Sequence, residues 1–310
     1  MELNENAEVD TSQVEDMRGS TGGGGGGGGR MGIPIPIPGG GGGGRGGLIG
    51  IVIAVLVALL GGGFGVSQLG GGGGDQPADN STLNQRCDAA DKTEQRDCRN
   101  TLYVNSIQDY WQTAMPEAFG KKYQPVTTRF FSGNVNTGCG QADSGVGPFY
   151  CPADQHVYID LTFYDTLAQE FGVTGEFPQP YVLAHEYGHH VQDLLGTNAK
   201  AEQGGQQGPN SGSVRLELQA DCYAGAWAHH ATETKTRSGK AIFKSIDQQD
   251  IQDAVDTAGA IGDDAIQRKS GQGNDPSSYT HGTSAQRQKW FEQGYDSGDP
   301  KTCDTFSGSI

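Results

Sequence analysis

The chain has few basic residues. Lys and Arg together number 21 against 37 Asp and Glu, which gives a formal net charge of −16. Surfaces that bind nucleic acid need clustered positive charge to neutralise phosphates, so this composition argues against a nucleic-acid partner. For the same reason it argues against tight docking on an anionic lipid surface.

Cysteine is absent from the first 86 residues, and no C-x-x-C spacing occurs anywhere in the chain. The missing spacing argues against cysteine metal ligands. Six cysteines follow, and an even number in an exported domain indicates disulfides. Sequence alone leaves the pairing open, but the two local pairs are the simplest choice. The predicted pairs are Cys87 with Cys98, Cys139 with Cys151, and by remainder Cys222 with Cys303.

Side chains that could fill a core are scarce between Gly19 and Gly74, a stretch that holds 28 of the 52 glycines. Such a composition cannot form a packed core. One uncharged apolar run, Leu48–Leu60, interrupts it. Extended to Val66, the run reaches about 20 residues, which is long enough to cross a bilayer. A signal peptide is the alternative, but no clear Ala-x-Ala cleavage site follows, which favours an uncleaved signal anchor.

The charges that flank this run predict its orientation. Arg30 and Arg45 precede it, and the first charged residue after it is Asp75. By the positive-inside rule the N-terminus is cytoplasmic and the later domain extracytoplasmic, in a single-pass membrane protein that contacts the lipid bilayer. The predicted organisation is a disordered acidic, then Gly/Pro-rich, cytoplasmic tail (1–45), a transmembrane signal anchor (46–66), a linker (67–82) and one folded domain (83–310).

The domain contains the motif H-E-x-x-H at His185, Glu186 and His189. Residues four apart lie on one face of a helix, so the two imidazoles can bind one zinc ion while Glu186 reaches a water on that ion. Pro180 suits a first helical turn and Gly196 a C-terminal cap, which supports a helix here. The alternative is an ordinary amphipathic helix in which the histidines occur by chance.

A catalytic zinc usually has a third protein ligand. Glu217 and Asp221 are four apart in a helix-favouring, largely apolar stretch, where burial of a carboxylate is costly unless it is paired or binds metal. We therefore predict Glu217 as the third ligand, and Asp221 as the acceptor of the second ring N–H of a zinc histidine, most simply His185. The alternative is a solvated acidic face.

These motifs resemble a known family. H-E-x-x-H followed by a Glu-x-x-x-Asp helix is similar to the gluzincin arrangement, and the chain resembles more closely the bacterial putative neutral zinc metallopeptidase family. The resemblance covers about residues 84–306 and the apolar run upstream. Its blocks are Gly147–Asp154, His185–Gln192, Glu217–Trp227, Ile261–Asp264, and Thr280–Ser284 with Trp290–Phe291.

The predicted fold class is α+β, a mostly helical zincin-like domain with a small β-sheet, preceded by the single transmembrane helix. Five of the helices are predicted at 164–171, 180–195, 213–232, 247–258 and 284–297, and another from Asn105 to Phe119. Strands are predicted at Val126–Phe131 and at Val157–Leu161. The resemblance implies that the second strand lies near the sheet edge and binds the substrate backbone.

The resemblance implies a metallopeptidase with one Zn²⁺ per chain and a peptide or protein substrate. Glu186 would act as general base and then general acid, and His281 would stabilise the developing oxyanion. For His281 the alternative is a structural or surface histidine, and Tyr187 and Tyr223 are other candidate donors. Two other functions stay open: a catalytically silent zinc-stabilised binding or scaffold protein of the envelope, and a zinc hydrolase acting on cell-wall peptides. The intact Glu186 argues against the first, because a structural zinc does not need it.

Overall fold

The computed structural model describes residues 1–19, 78–271 and 273–310, in which nine α-helices combine with three small sheets. The helices are α1 (Ser81–Cys87), α2 (Arg96–Phe119), α3 (Phe163–Phe171), α4 (Pro178–Leu195), α5 (Asn198–Gln203), α6 (Gly212–His230), α7 (Gln248–Ala260), α8 (Asp263–Ser270) and α9 (Ser284–Ser297). The strands are β1 (Glu2–Leu3), β2 (Val14–Asp16), β3 (Thr128–Phe130), β4 (Asn134–Thr137), β5 (Gly140–Asp143), β6 (Phe149–Cys151), β7 (His156–Ile159) and β8 (Phe243–Ser245).

The largest sheet has four strands in the order β2-β3-β7-β6. The first three run parallel, with Val14 opposite Thr128 and Thr128 opposite Val157, whereas β6 is antiparallel to β7. The strand predicted at Val157–Leu161 is therefore next to the edge strand and does not form the edge itself. A turn at 152–155 folds the predicted strand region into a hairpin, so β7 is interior and β6 forms the edge.

Helix α6 packs against both α4 and α9, and α4 also packs against β6, the edge strand of this sheet. Glycine makes the α6–α9 contact possible, because a Cβ at Gly225 would lie 2.1 Å from the Phe291 carbonyl oxygen and one at Gly294 would lie 1.9 Å from that of Cys222. Real side chains do not approach so closely, so the two backbones are in direct contact. Helix α9 begins with a capping box in which Thr283 and Gln286 each satisfy the other's backbone N–H.

The prediction of a transmembrane helix before the domain has to be corrected. Among the helices of residues 1–19, 78–271 and 273–310, none combines the length and the apolar character needed to cross a membrane. The segment predicted to span the bilayer, 46–66, lies outside the described residues.

The N-terminal residues also differ from the prediction of a disordered cytoplasmic tail. In the described part of that tail, β1 pairs with β8, and β2 forms one edge of the four-stranded sheet. The backbone N–H of Asp10 donates to the Asn105 side chain, whose Nδ2 donates back to the Asp10 carbonyl. These contacts require residues 1–18 and the domain to lie on the same side of any membrane, so the predicted opposite placement is wrong.

Arg18 connects this N-terminal segment to α2 through ion pairs. Its guanidinium lies 2.7 Å from Asp16 and 2.8 Å from Asp97, two buried carboxylates, and stacks over the Phe130 ring. Arg86 offers Asp97 a second partner at 3.0 Å. The segment is therefore anchored by charge as well as by strand pairing.

We expect Arg18→Met to lower the free energy of unfolding by about 2 kcal/mol, less than for a fully buried pair because Arg86 still serves Asp97. Urea unfolding of the full chain measures this. The matched control is Arg268→Met, which removes an exposed ion pair with Asp264 and should change stability by at most about 0.5 kcal/mol. Equal effects of the two substitutions would contradict the anchoring role.

The three predicted disulfides are confirmed: Cys87–Cys98, Cys139–Cys151 and Cys222–Cys303. The first joins α1 to α2, and the second joins the β4–β5 turn to the edge strand β6. The third spans 81 positions and ties the C-terminal segment to α6. Local spacing was enough for the first two pairs, and the third followed as the remainder.

Candidate active site

Helix α4 carries the H-E-x-x-H motif. It begins at Pro178, whose ring fits a first helical turn, and it ends at Gly196, which adopts the left-handed conformation with φ of 76°. His185 and His189 are one turn apart on one face, and their rings meet edge to face with centroids 4.8 Å apart. Both histidines are buried, so the face that carries them is turned into the protein.

Helix α6 places two carboxylates next to the buried histidines of α4. The Ser211 hydroxyl caps its first turn by accepting from the Val214 N–H. Glu217 and Asp221, one turn apart, are 3% and 0% exposed, which rules out the solvated acidic face. The close approach of α4 depends on Gly188, because a Cβ there would lie 2.9 Å from the Ala220 Cα.

The structure gathers His185, His189 and Glu217 into one buried group whose donor atoms all lie within 4.8 Å of one another. Both His Nε2 atoms are 3.2 Å from a Glu217 carboxylate oxygen. Ligand atoms about 2.0–2.1 Å from a tetrahedral zinc ion are themselves about 3.3–3.4 Å apart. The spacing and the two-nitrogen, one-carboxylate donor set therefore fit a zinc ion.

Asp221 orients His185. Its carboxylate lies 2.8 Å from His185 Nδ1 and accepts from the Tyr181 hydroxyl at 2.7 Å and from the Arg287 Nε at 2.8 Å. Burial acts to raise the pKa of Asp221, but the charges of Arg287 and His185 outweigh it and hold the pKa below its ordinary value. An ionised Asp221 keeps the proton on Nδ1 and leaves Nε2 free to bind the metal.

Glu186 lies beside the three donor atoms and is 8% exposed. Burial raises the pKa of its carboxyl group above the ordinary value, against the lowering effect of both histidines and of the Tyr150 backbone N–H. Tyr150 belongs to the edge strand β6, so this strand runs along the carboxylate. A carboxylate with a raised pKa is suited to accept and return a proton near neutral pH.

A cavity of about 90 Å³ opens onto these side chains. His185, Glu186, His189, Glu217, His281 and Arg287 form its polar side. The rest of its lining is mostly apolar and consists of Val146, Gly147, Pro148, Phe163, Phe171, Tyr181, Val182 and Ile261. Polar groups that converge at one end of an apolar cavity are typical of a site that binds and converts a small group or side chain.

His281 reaches this cavity from the segment before α9. Its Nδ1 lies 2.9 Å from the Thr280 hydroxyl and 3.2 Å from the Asp263 carboxylate. The other Asp263 oxygen accepts the backbone N–H groups of Thr280, His281 and Gly282 at 2.7, 2.7 and 2.9 Å. Burial acts to lower the pKa of His281, but Glu217 and Asp263 outweigh it and raise the pKa above its ordinary value.

The remaining candidates are placed away from the donor atoms. His190, the residue after His189, contacts the Tyr150 hydroxyl and the Gln124 carbonyl. The Tyr187 hydroxyl contacts Thr128, and Tyr223 packs edge to face on Trp111; neither tyrosine lines the cavity.

Two supporting residues were missed from the sequence. Gln192 presents its Oε1 to His189 Nδ1 at 2.9 Å, and its position three residues after His189 was a usable signal. Asp263 lies in a block that the resemblance included, but nothing local showed that it would anchor His281.

Comparison with known proteins agrees with this geometry. The family model described as putative neutral zinc metallopeptidase matches residues 3–306. The uncharacterized protein YpfJ of Escherichia coli (strain K12) is 40% identical over 308 residues, which cover 97% of this chain and 98% of that protein. The uncharacterized protein Rv2575 of Mycobacterium tuberculosis (strain ATCC 25618 / H37Rv) is 46% identical over 237 residues, covering 76% and 79%. No solved structure matches the chain. The predicted resemblance is confirmed, and the chain belongs to the putative neutral zinc metallopeptidase family.

Proposed function

We propose that this protein is a zinc-dependent peptidase that hydrolyses peptide bonds, with His185, His189 and Glu217 as the ligands of one zinc ion. The observation that carries the proposal is the buried Glu186 carboxylate beside three donor atoms that fit zinc. A zinc ion that only stabilises a fold does not require such a group. Bound zinc would supply Lewis acidity and would lower the pKa of a water.

The side chains of the site divide the remaining work. Glu186 accepts the proton of the attacking water and passes it to the leaving amine. His281, held on its Nδ1 side by Asp263 and Thr280, faces the cavity and donates to the oxyanion that develops on the scissile carbonyl. Asp221 and Arg287 keep the His185 ring in position.

The position of the edge strand β6 favours a peptide as the substrate. Its outer side is free of a neighbouring strand among the described residues, and it runs beside Glu186. An extended peptide can add to such an edge through backbone hydrogen bonds, which hold the scissile bond at a fixed height above the metal site. The apolar side of the cavity then receives a side chain next to that bond.

Elemental analysis of the purified full chain tests the metal assignment. We expect one zinc ion per chain, and loss or strong weakening of zinc binding in Glu217→Ala, because removal of one of three protein ligands leaves the coordination incomplete. Cleavage of unfolded casein should be lost in the same variant. The control is Glu202→Ala, an exposed glutamate on α5, which should retain both zinc and cleavage. Full zinc occupancy in Glu217→Ala would refute this third ligand.

A further inference from the structure

The two zinc histidines of the proposed function are held by different kinds of partner. His185 Nδ1 faces a charged carboxylate, Asp221, at 2.8 Å. His189 Nδ1 faces a neutral amide oxygen, that of Gln192, at 2.9 Å. A carboxylate fixes the ring of its histidine by charge, whereas an amide can turn over and present its nitrogen instead. The orientation of His189 therefore depends on what fixes the Gln192 amide.

Two buried acceptors on α6 fix that amide. Gln192 Nε2 donates to the Leu216 carbonyl at 2.7 Å and lies 3.3 Å from Gln219 Oε1. Gln192 is fully buried, so a turned amide would leave oxygen facing oxygen with no water to relieve it. The nitrogen must face α6, and the oxygen must face His189. The proton of His189 then stays on Nδ1, and its Nε2 lone pair points to the metal site.

The side-chain amide of Gln219 could also be turned either way, and a contact with the C-terminal segment fixes its orientation. Its Nε2 donates to the Cys303 carbonyl at 2.8 Å, so its Oε1 is turned toward Gln192. The Cys303 carbonyl is held in place by the Cys222–Cys303 disulfide, since Cys222 lies one turn beyond Gln219 on the same helix. The Thr305 hydroxyl adds a second tie to α6 through the Arg215 carbonyl at 2.6 Å.

We propose that Gln192, Gln219 and the Cys222–Cys303 disulfide form a positioning relay for His189, so that a disulfide that touches no ligand sets the affinity of the metal site. The relay (Cys303 carbonyl, Gln219 amide, Gln192 amide, His189 ring) is continuous, and its members are 7% exposed or less. The inference rests on the proposed function for the identity of the metal ligands, but its test measures binding and not cleavage.

The test is the zinc dissociation constant of the full chain, measured by competition with a chromophoric chelator. We expect Gln192→Leu to weaken zinc binding roughly 10- to 100-fold, the usual effect of losing a partner of a metal histidine. Gln219→Leu and the double variant Cys222→Ala/Cys303→Ala should each weaken it by only about 3- to 10-fold. The Gln192 amide then loses the Gln219 acceptor, or the fixed position of that acceptor, while the Leu216 carbonyl still holds it. Combining either change with Gln192→Leu should add little, since both act through the same amide.

The matched control is Cys87→Ala/Cys98→Ala, which removes another disulfide between helices that carry no zinc ligand. It should leave the zinc dissociation constant within about twofold while lowering stability, as loss of a disulfide does. A spectroscopic readout separates positioning from general loosening: ring ¹⁵N shifts of zinc-free His189 should show one Nδ1-protonated tautomer in the parent chain and a mixture in Gln219→Leu.

Zinc affinity within twofold of the parent in folded Gln219→Leu would overturn the relay, and so would additive effects in the double variants. If the variant without the Cys222–Cys303 disulfide does not fold, Gln219→Leu decides, because it keeps the disulfide. A parent chain that binds zinc with an intact relay but cleaves no peptide would refute the proposed function and leave the relay standing.

Discussion

If the proposed function holds, we expect Glu186→Gln to lower peptide cleavage by roughly 10²- to 10⁴-fold, the usual contribution of a general acid–base group, and to retain zinc binding. The amide has nearly the shape of the carboxylate but cannot accept the proton of the attacking water. Glu186 is not one of the three grouped donor residues, so its replacement leaves the ligand set complete. Rates of casein cleavage and zinc content of the same preparation measure the two effects together.

The matched control for this substitution is Glu202→Gln, which makes the same chemical change at an exposed position on α5. It should cleave at the rate of the parent chain. Zinc bound at one ion per chain with no cleavage by the parent, or with cleavage that survives Glu186→Gln, would contradict the assigned role. The first of these outcomes would favour a zinc-stabilised binding protein.

Arg287→Met should lower the free energy of unfolding by about 3 kcal/mol, because the buried Asp221 loses the guanidinium that binds both of its oxygens and keeps His185 as its remaining charged partner. Arg287 is 2% exposed and Asp221 is 0% exposed. The guanidinium binds both carboxylate oxygens, with Nε at 2.8 Å and Nη2 at 2.9 Å. Urea unfolding should be measured after removal of zinc by a chelator, so that altered metal binding does not enter the result.

A second arginine–carboxylate pair serves as the control, because it has the same chemistry but is exposed to solvent. Arg96 binds both oxygens of Asp165 at 2.9 and 2.7 Å, but these side chains are 40% and 49% exposed. Arg96→Met should therefore cost at most about 1 kcal/mol. Similar losses in the two variants would mean that burial does not decide the importance of the Arg287–Asp221 pair.

The residues of the proposed metal site could be predicted from the sequence because they follow helical spacing. His185 and His189 are four apart, as are Glu217 and Asp221, and each pair lies on one face of a single helix. That the two faces meet was not visible in either spacing. It depends on Gly188 and Ala220, whose small size lets α4 and α6 approach closely.

The contacts that were missed join distant parts of the chain. Asp263 anchors the segment 280–282 by accepting three of its backbone N–H groups. No local sequence pattern predicts these contacts. Residues 1–18 are acidic and polar, so composition indicated disorder, yet pairing with β3 and the charges on Arg18 hold them in the fold. Local propensity does not include such tertiary partners.

The membrane prediction rested on composition, on flanking charges and on a resemblance that included the apolar run. Those features describe a stretch of sequence and not its surroundings, so they could not show that the residues before the stretch pack on the domain after it. The edge-strand prediction was incomplete for a related reason. Alternation identified a strand at 157–161, but only the turn at 152–155 decides which of two strands lies outside.

The position of β2 has a consequence for how the protein is made. Glu15 and Arg129, an ion pair across β2 and β3, are 114 positions apart. At a synthesis rate of about 5–20 residues per second, β2 is synthesised roughly 6–23 s before its partner β3. During that interval its backbone groups are unpaired, and closing so long a loop carries an entropic cost. Strand β2 can therefore enter the sheet only after the residues between it and β3 have been synthesised.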